Sequence, residues 1–252
     1  MRVSIITATR NAGKHIVATL DSVAEQLDAD IEHVIIDGAS TDNTAAAVRT
    51  FNSSQIRFRS EPDRGIYDAF NKGLQVASGE IIAFLNAGDI YTNNRVVATA
   101  SALLKAQAVD AVFGDVQLVD QDHHAREIRR ISSKAFSPNK LRFGMMPAHP
   151  TLFVRRSLYN RLVGYDSTYA IAGDYELCLR AFLVHGCTFA YLPEVLTRMT
   201  TGGVSNQGLR SVMTITREMR RACAANGIRT NYLKLLARLP LKLFELRIPG
   251  AT

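Results

Sequence analysis

The chain of 252 residues lacks several features that would place it in a membrane-spanning or disulfide-rich class. No apolar run reaches the roughly 18 residues that a membrane-spanning helix requires. Its three cysteines (Cys178, Cys187 and Cys223) are odd in number and do not have zinc-site spacing, which favours reduced thiols. The N-terminus shows no signal-peptide cleavage pattern, so we expect a cytoplasmic protein. No internal repeat is present, and 47% hydrophobic residues suffice for a sizeable core.

Basic charge is concentrated at one end of the chain. The formal net charge is +7 at pH 7, from 30 basic and 23 acidic side chains. Residues 209–252 hold nine of the basic and two of the acidic side chains, which accounts for the whole excess. We therefore expect a globular domain at residues 1–208, neutral overall, followed by a basic helical tail at residues 209–252.

Segments with the patterns of strands and helices alternate in the first half of the chain. Strands are predicted at Arg2–Thr7, Ile31–Asp37, Ile56–Ser60 and Ile81–Leu85, and helices at His15–Leu27, Thr41–Phe51, Ile66–Ala77 and Asn94–Ala106. Strands that alternate with helices of this length predict an α/β fold, in which a mostly parallel central sheet is covered on both faces. The crossovers are expected to be right-handed.

The pattern changes after residue 109. Asp110–Val119 and Arg126–Ser132 are predicted to be antiparallel strands joined through residues 120–123, and a loop-rich stretch follows at Ser137–Pro150. Short strands are predicted at Thr151–Val154, Thr188–Tyr191 and Val195–Met199, and a helix at Asp174–His185 with Gly186 as its C-terminal cap. A small antiparallel element thus accompanies the parallel sheet.

Two acidic side chains stand where predicted strands end. Asp37 closes the second predicted strand, and Asp89 completes the segment Asn86-Ala87-Gly88-Asp89 after the fourth. Ligands of open α/β sheets bind outside the carboxyl ends of the strands. A single carboxylate there suffices for Mg²⁺ when phosphate oxygens complete the coordination shell. Either acid can instead cap a turn or the following helix.

Arg64 lies in a loop that is bounded by Pro62 and Gly65. Its guanidinium suits a phosphate group or a nucleotide base at the same edge of the sheet. A surface ion pair with Asp63 or Asp68 is equally consistent with the sequence, so this position alone does not decide between a ligand contact and a structural one.

Two further segments place a reactive side chain at a constrained position. His149 lies in Pro147-Ala148-His149-Pro150, where a ligand, a phosphate contact and a structural hydrogen bond all remain open. Asp174 follows Gly173 at the start of a predicted helix, and Gly173 permits close backbone approach by a substrate. The helix dipole also stabilises an acid at this position, so capping is an alternative role for Asp174.

Taken in this order, the motifs resemble the inverting family 2 glycosyltransferases with a GT-A fold, of the bacterial polysaccharide or glycolipid type. The resemblance covers about residues 3–206. On the nucleotide side, the family's opening strand and nucleotide loop resemble Ser4–Asn11, its VDDGSTD segment resembles Val34–Asp42, and a second element resembles Asp63–Gly65 with Asn71–Gly73. The metal-binding acidic motif of the family falls on Asn86–Asp89, and its ED motif falls on Gly173–Glu176. Its flexible acceptor-side segment is similar to Gly202–Ser205.

The resemblance implies a role for each matching residue. Asp174 falls on the catalytic base of the family. The nucleotide-sugar donor would be bound by residues from separate loops: Thr7, Thr9, Asn11, Asp37, Arg64, Lys72, Asn86 and Asp89. Asp37 would contact the nucleotide base. Asp89, helped by His149, would hold a divalent metal (Mn²⁺ or Mg²⁺) against the leaving diphosphate. The chain departs from the family because Asn86 and Gly88 replace two acids of the metal motif.

The implied reaction moves a sugar, with inversion, from a UDP- or GDP-linked donor to a hydroxyl of a saccharide or lipid-linked acceptor. The product would be a β-glycoside in cell-surface polysaccharide or glycolipid assembly. Two alternatives remain open, a non-catalytic nucleotide-sugar-binding or scaffold protein and a metal-dependent nucleotidyltransferase. A nicotinamide dehydrogenase is disfavoured because the first turn lacks G-x-G-x-x-G.

The basic tail has the pattern of an amphipathic helix. One face carries Lys234, Arg238, Lys242 and Glu245, and the other carries Leu235, Leu236, Leu239, Leu243 and Leu246, with a kink or break at Pro240. This pattern predicts peripheral attachment to the inner face of the cell membrane. The alternative is packing on the domain or on a second subunit, as in a homo-oligomer. Nucleic acid is not an expected partner, since interleaved basic and aromatic residues are missing.

Overall fold

The computed structural model describes residues 1–51, 53–120, 127–200 and 209–239. The first half contains β1 (Val3–Thr9), α1 (Ile16–Ala24), β2 (Ile31–Asp37), α2 (Thr44–Thr50), β3 (Ile56–Ser60), α3 (Ile66–Val76), β4 (Ile81–Phe84), β5 (Ile90–Tyr91) and α4 (Val96–Ala106). The second half contains β6 (Ala111–Val119), β7 (Glu127–Ile131), β8 (Phe153–Arg155), α5 (Arg156–Leu162), α6 (Gly173–Cys178), β9 (Phe189–Thr200), α7 (Leu209–Ala225) and α8 (Tyr232–Leu236). Short 3₁₀ turns lie at Pro138–Phe143 and His149–Thr151.

The strands form one sheet in the order β3-β2-β1-β4-β8-β6-β9-β5, with β7 paired to β6. Strands β1 and β2, β2 and β3, β1 and β4, and β6 and β9 are parallel. Strand β8 runs antiparallel between β4 and β6, and β7 is antiparallel to β6. The predicted mostly parallel α/β sheet with a small antiparallel element is therefore confirmed.

Helices cover both faces of the sheet, which explains why its central strands are apolar at successive positions. Ile5 and Ile6 are both fully buried. Neighbouring residues of a strand point to opposite faces, and Ile6 packs in one cluster with Phe70 of α3 while Ile5 packs in another with Val97 of α4. The register of β1 and β2 pairs Thr9 with Asp37, so both side chains stand at the same carboxyl edge.

Three elements differ from the prediction, and two of them depend on pairing with a distant strand. Strand β9 is continuous where two short strands were predicted, because it follows β6 through register shifts around Asp115. The two-residue strand β5 exists only through its pairing with β9. Helix α5 was not predicted. Helix α6 runs on into a π-helical segment, Leu179–Val184, and Gly186 then takes a φ of +60°, as expected of a C-terminal cap.

The described part of the basic tail packs on the domain. Ala222 and Cys223 of α7 and Leu235 of α8 are fully buried in the cluster that also contains Ile6. Arg238 is buried as well and donates to the Thr216 Oγ1 at 3.0 Å. Arg238 therefore does not belong to an exposed basic face, which corrects the prediction at that residue.

Several predicted features lie outside the described residues. They are residues 121–123 of the predicted turn, the acceptor-side segment Gly202–Ser205, and the tail residues Pro240, Lys242, Leu243, Glu245 and Leu246. Among the helices in the described ranges, none combines the length and the apolarity needed to cross a bilayer.

Candidate active site

The loops after β1 and β2 are joined by Asn11. Its backbone N–H donates to the Ser40 Oγ at 2.8 Å, and its side-chain Oδ1 accepts from the Thr41 N–H at 2.9 Å. Asn11 adopts a φ of +50°, a left-handed conformation that asparagine tolerates better than most residues. The predicted residues Asn11 and Asp37 thus lie in two loops that contact each other, at the end of neighbouring strands.

The Asp37 carboxylate is fully buried and organises the turn that follows it. Its Oδ2 accepts from the Ser40 N–H at 3.0 Å and from the Ser60 Oγ at 2.6 Å, and its Oδ1 accepts from the Ser40 hydroxyl. The Asp37 carboxylate therefore accepts three hydrogen bonds from the protein itself. These contacts match the turn-capping alternative for Asp37, and the expected contact to a nucleotide base stays a prediction.

Two threonines of β1 have different surroundings. Thr7 is fully buried, donates to the Leu85 carbonyl at 2.7 Å and lies 2.9 Å from the His33 Nε2. Thr7 is therefore engaged inside the sheet by the protein itself, and its expected contact to the nucleotide-sugar stays a prediction. The Thr9 hydroxyl is buried at the carboxyl edge with no partner among the described residues, so it is available to a ligand.

Arg64 and Lys72 belong to a network of ion pairs on the surface of α3. The Arg64 Nη2 lies 3.2 Å from the Asp68 Oδ1, and the Lys72 Nζ lies 3.0 Å from the Glu61 Oε1 and 3.5 Å from the Asp68 Oδ2. The Arg64 side chain is 81% exposed. The contacts of Arg64 thus match the surface ion pair, and its expected contact to the nucleotide-sugar stays a prediction.

Asn86 and Asp89 share one tight turn at the end of β4. The Asp89 N–H donates to the Asn86 carbonyl at 2.9 Å, and Gly88 adopts a φ of +98°, which favours glycine. Thr19 of α1 binds this turn through two hydrogen bonds. Its Oγ1 accepts from the Gly88 N–H and donates to the Asp89 carbonyl, both at 2.9 Å. Helix α1, which carries none of the predicted site residues, therefore sets the position of Asp89.

The turn of Asn86 and Asp89 contains two buried side-chain groups that carry oxygen ligands. Asp89 is 6% exposed, and burial raises the pKa of its carboxyl to about 8. The Asn86 Oδ1 is buried without a hydrogen-bond donor among the described residues. A buried carboxyl and an unsatisfied amide oxygen are the hard oxygen ligands that Mg²⁺ and similar ions prefer. These two side chains fit a divalent ion whose remaining ligands come from a diphosphate.

His149 does not join this turn. Its Nε2 lies 2.7 Å from the Tyr165 hydroxyl, and its ring stacks on Phe70 with 5.7 Å between ring centroids. Burial lowers the pKa of His149 to about 4, so the imidazole is neutral. Nowhere in the described ranges do three His, Cys, Asp or Glu side chains form a group that could hold a metal. The expected metal role of His149 is replaced by a structural hydrogen bond, one of the alternatives considered.

Asp174 lies in the first turn of α6 and is half-buried. Its Oδ1 accepts from the Tyr175 N–H at 2.7 Å and lies 3.4 Å from the Tyr67 hydroxyl. Burial raises the pKa of the Asp174 carboxyl to about 6. A Cβ on Gly173 would lie 2.7 Å from the Tyr67 ring, so this glycine makes room for Tyr67. A carboxyl with this pKa can accept a proton near neutral pH.

Three residues of the site were not identified from the sequence: Thr19, Tyr67 and Glu218. Thr19 lies on the buried face of α1, whose other buried residues are apolar. A polar residue on such a face indicates a specific hydrogen bond, and this pattern could have identified Thr19. Glu218 is the one acidic residue of the basic helix α7, which is the signal that could have identified it. Tyr67 carries no signal that would separate it from an ordinary core tyrosine.

The mixed α/β sheet has the GT-A fold of solved glycosyltransferases. Residues 4–163, more than half of the chain, match the family described as Glycosyl transferase family 2. The chain belongs to this family and is a glycosyltransferase, which confirms the predicted resemblance.

Two relatives illustrate the kinship in sequence. A PGL/p-HBAD biosynthesis glycosyltransferase of Mycobacterium bovis is 30% identical over 208 residues, which cover 81% of this chain and 78% of the relative. The UDP-Glc:alpha-D-GlcNAc-diphosphoundecaprenol beta-1,3-glucosyltransferase WfgD of Escherichia coli is 31% identical over 145 residues, 57% of this chain and 54% of the relative.

Two solved structures share the fold. The 1–349 fragment of TarS of S. aureus has a TM-score of 0.72 at 18% identity, over 99% of this chain and 76% of the fragment, and it has also been solved with UDP-GlcNAc. Glucosyl-3-phosphoglycerate synthase of Mycobacterium tuberculosis, solved with Mn²⁺, UDP and glucosyl-3-phosphoglycerate, has a TM-score of 0.61 at 17% identity, over 91% of this chain and 81% of the synthase. At such identities the likeness concerns the fold alone.

Proposed function

We propose that this protein is an inverting glycosyltransferase in which Asp174 is the general base. The observation that carries the proposal is the half-buried Asp174 carboxyl, with a pKa raised to about 6, at the start of α6. Asp174 takes the proton of the acceptor hydroxyl as its oxygen attacks the anomeric carbon of the donor. The bond from that carbon to the diphosphate breaks, the configuration inverts, and a nucleoside diphosphate leaves.

The donor side of the site is proposed to be the carboxyl edge formed by β2, β1 and β4. The free Thr9 hydroxyl, the linked loops at Asn11 and Asp37, and the turn of Asn86 and Asp89 are its supporting features. Asn86 and Asp89 would hold a divalent ion, Mn²⁺ or Mg²⁺. When bound, such an ion neutralises the charge that develops on the departing diphosphate.

The acceptor is proposed to be a saccharide or a lipid-linked saccharide, and the product a β-glycoside of polysaccharide or glycolipid assembly. The E. coli relative, whose name gives a diphosphoundecaprenol-linked acceptor and a beta-1,3 product, supports this choice. The donor is proposed to be UDP- or GDP-linked, and the UDP-Glc in that relative's name and the UDP-GlcNAc bound by TarS support the UDP-linked form.

We also propose that α8 rests on the inner face of the cell membrane. Leu233 is 81% exposed, and Tyr232 and Leu236 are 43% and 38% exposed. Cations lie beside these apolar groups, since Arg220 stacks over the Tyr232 ring at 4.8 Å and Lys234 lies 5.8 Å from the Phe143 ring. Exposed apolar side chains rimmed by cations suit an anionic lipid surface.

The reaction is tested by screening UDP- and GDP-sugars against the full chain. A donor that binds should raise the melting temperature, because a ligand of the native state stabilises it. The same donor should release its nucleoside diphosphate faster with the wild type than with Asp174→Asn. Binding without release in either protein would favour a non-catalytic or scaffold role. Release of pyrophosphate from a nucleoside triphosphate and a sugar phosphate would instead favour a nucleotidyltransferase.

A further inference from the structure

The loop that leads into α6 is held by a carboxylate from another helix. Glu218 of α7 accepts hydrogen bonds from three consecutive backbone N–H groups, those of Ala170 at 2.8 Å, Ile171 at 3.0 Å and Ala172 at 2.8 Å. Its Oε1 takes the first and its Oε2 takes the other two. Hydrogen bonds to a charged acceptor are roughly twice as strong as neutral ones. Glu218 thus caps the backbone that immediately precedes α6.

The same loop is also held by α3. The Tyr67 hydroxyl donates to the Ile171 carbonyl and lies 3.4 Å from the Asp174 Oδ1. The Tyr67 ring packs against Gly173 so closely that a Cβ there would lie 2.7 Å away. Helix α7 thus binds three N–H groups of the loop, α3 binds one of its carbonyls, and Asp174 follows the loop two residues after Ala172.

We infer that Glu218 is a positioning residue for glycosyl transfer, which sets the place of the Asp174 carboxyl through the backbone of residues 170–172 and does not contact substrate. The inference rests on the proposed function, in which Asp174 is the base. It assigns a task in the active site to the basic C-terminal region, where Glu218 is the one acid within the described residues.

The charge of Glu218 also acts on Asp174. Burial is the main cause of the raised pKa of Asp174, and the negative charge of Glu218 adds to it. The other titratable groups that face Asp174 are Tyr67 from α3, Tyr165 from the loop after α5, and Cys178 on α6. Burial raises the pKa of each of these three groups, so they are neutral around pH 7. Removing the charge of Glu218 should therefore lower the pKa of Asp174.

Hydrogen exchange of the full chain tests the positioning without any substrate. In Glu218→Ala, the amides of residues 170–172 should lose most of their protection while the amides of β1 keep theirs. Glu218→Gln retains an acceptor oxygen and should keep part of the protection. Arg217→Gln changes the charge of an exposed neighbour on α7 and is the matched control, which should exchange like the wild type.

Kinetics with the donor found in the UDP- and GDP-sugar screen test the consequence. Glu218→Ala should lower kcat by about 10²-fold with little change in the KM of the donor, since a misplacement of about 1 Å has an effect of that size. Glu218→Gln should move the acid limb of the kcat/KM profile to lower pH. A purely structural role for Glu218 would leave that limb in place. Melting temperatures show that each variant is folded at the assay temperature.

The outcomes separate this inference from the proposed function. If Asp174→Asn abolishes turnover while both Glu218 variants keep the kcat, the acid limb and the exchange of the wild type, Glu218 has no positioning role. If Asp174→Asn itself turns over normally, the proposed base is wrong, and the exchange of residues 170–172 still decides whether Glu218 holds the loop.

Discussion

At the scale of single residues, surroundings decide what each carboxyl group can do. Asp37 and Asp174 are both aspartates at the start of loops or helices, and the ordinary pKa of this side chain is about 3.9. The Asp37 oxygens accept three hydrogen bonds from Ser40 and Ser60, so they are engaged in the turn. Asp174 is half-buried, and this burial raises the pKa of its carboxyl to about 6. Asp174 can therefore accept a proton near neutral pH, whereas the Asp37 oxygens are occupied by the turn.

The first prediction concerns Asp174 as the base. Asp174→Asn should lower kcat by about 10²–10⁴-fold and leave donor binding intact, because an amide cannot take a proton. In the wild type, kcat/KM should fall as the pH drops below about 6, since the carboxyl is then protonated. Steady-state kinetics across pH and calorimetric donor titrations measure both. Asp21→Asn, at an exposed position on α1, is the control. Near-normal kcat in Asp174→Asn would disprove the role.

The second prediction concerns the turn of Asn86 and Asp89. Mn²⁺ with UDP should raise the melting temperature of the wild type, because a ligand at 100 times its Kd stabilises the native state by about 2.7 kcal/mol. Asp89→Asn should lose most of this shift, since it removes the one carboxyl group of the turn, which gives up its proton when a metal binds. EDTA should reverse the shift in the wild type. Equal shifts in both proteins, or full activity of the wild type in EDTA, would contradict a metal role for Asp89.

At the scale of elements, α3 connects the core of the sheet to the site. Gly73 on one face of α3 lies against Ile6 of β1, where a Cβ would come within 2.4 Å of the Ile6 Cγ2. Tyr67, in the first turn of the same helix, contacts the loop of Asp174. The distance between α3 and β1 therefore also sets how the helix supports the base.

The third prediction concerns Gly73→Ala. In an exposed helix this change would stabilise by up to about 1 kcal/mol. Here the clash with Ile6 should outweigh that gain and destabilise the protein by about 1–3 kcal/mol, as overpacked cores do. Urea unfolding measures the difference, with Gln75→Ala at an exposed position of α3 as the control, expected within about 0.5 kcal/mol of the wild type. A stabilised Gly73→Ala would mean that α3 moves freely away from β1.

The elements that the sequence predicted correctly are those whose patterns are local. The strands and helices from β1 to α4 have apolar runs or periodic faces bounded by turn residues, apart from β5. Strand β5 has two residues, and β9 merges two predicted strands. Neither has a local pattern that identifies it, because each depends on pairing within the sheet, β5 with β9 and β9 with β6.

At the scale of the whole molecule, the C-terminal region both packs on the core and exposes a surface. Cys223 is buried beside Tyr175, whose hydroxyl lies 3.1 Å from its Sγ, while Leu233 is 81% exposed. Truncation after residue 208 would remove the core contacts and Glu218 together with the exposed surface. Point substitutions on α8 are therefore the sharper test of membrane attachment, and the domain boundary at residue 208 stays a prediction.

The fourth prediction concerns that surface. The double variant Leu233→Glu with Leu236→Glu should sediment several-fold less than the wild type with vesicles that contain phosphatidylglycerol. The reason is that each change removes apolar contact and adds repulsion from the anionic headgroups. Met213→Glu, at a 57% exposed position of α7, is the matched control. Equal sedimentation of the double variant, or no binding by the wild type, would argue against the membrane. Dimerisation lost in the double variant would favour a subunit interface instead.

Sequence patterns alone were enough to infer the order of the elements in the parallel half, the family, and the candidate acids Asp37, Asp89 and Asp174. Hydrophobic periodicity and short motifs are properties of neighbouring residues, so they can be recognised without a structure. Tertiary structure decided which side chains the protein already engages. It buried Thr7 and His149 in the interior and brought Glu218 to the loop before Asp174.

Those decisions could not be made from local pattern, because burial and hydrogen-bond partners depend on residues far apart in the chain. Tyr67 and Ile171 are 104 positions apart, and Glu218 and Ala172 are 46 apart. A carboxyl acquires its pKa from such partners and from the water that they exclude. The sequence therefore identified Asp174 as a candidate, and only the packing of α3, α6 and α7 around it decided its chemistry.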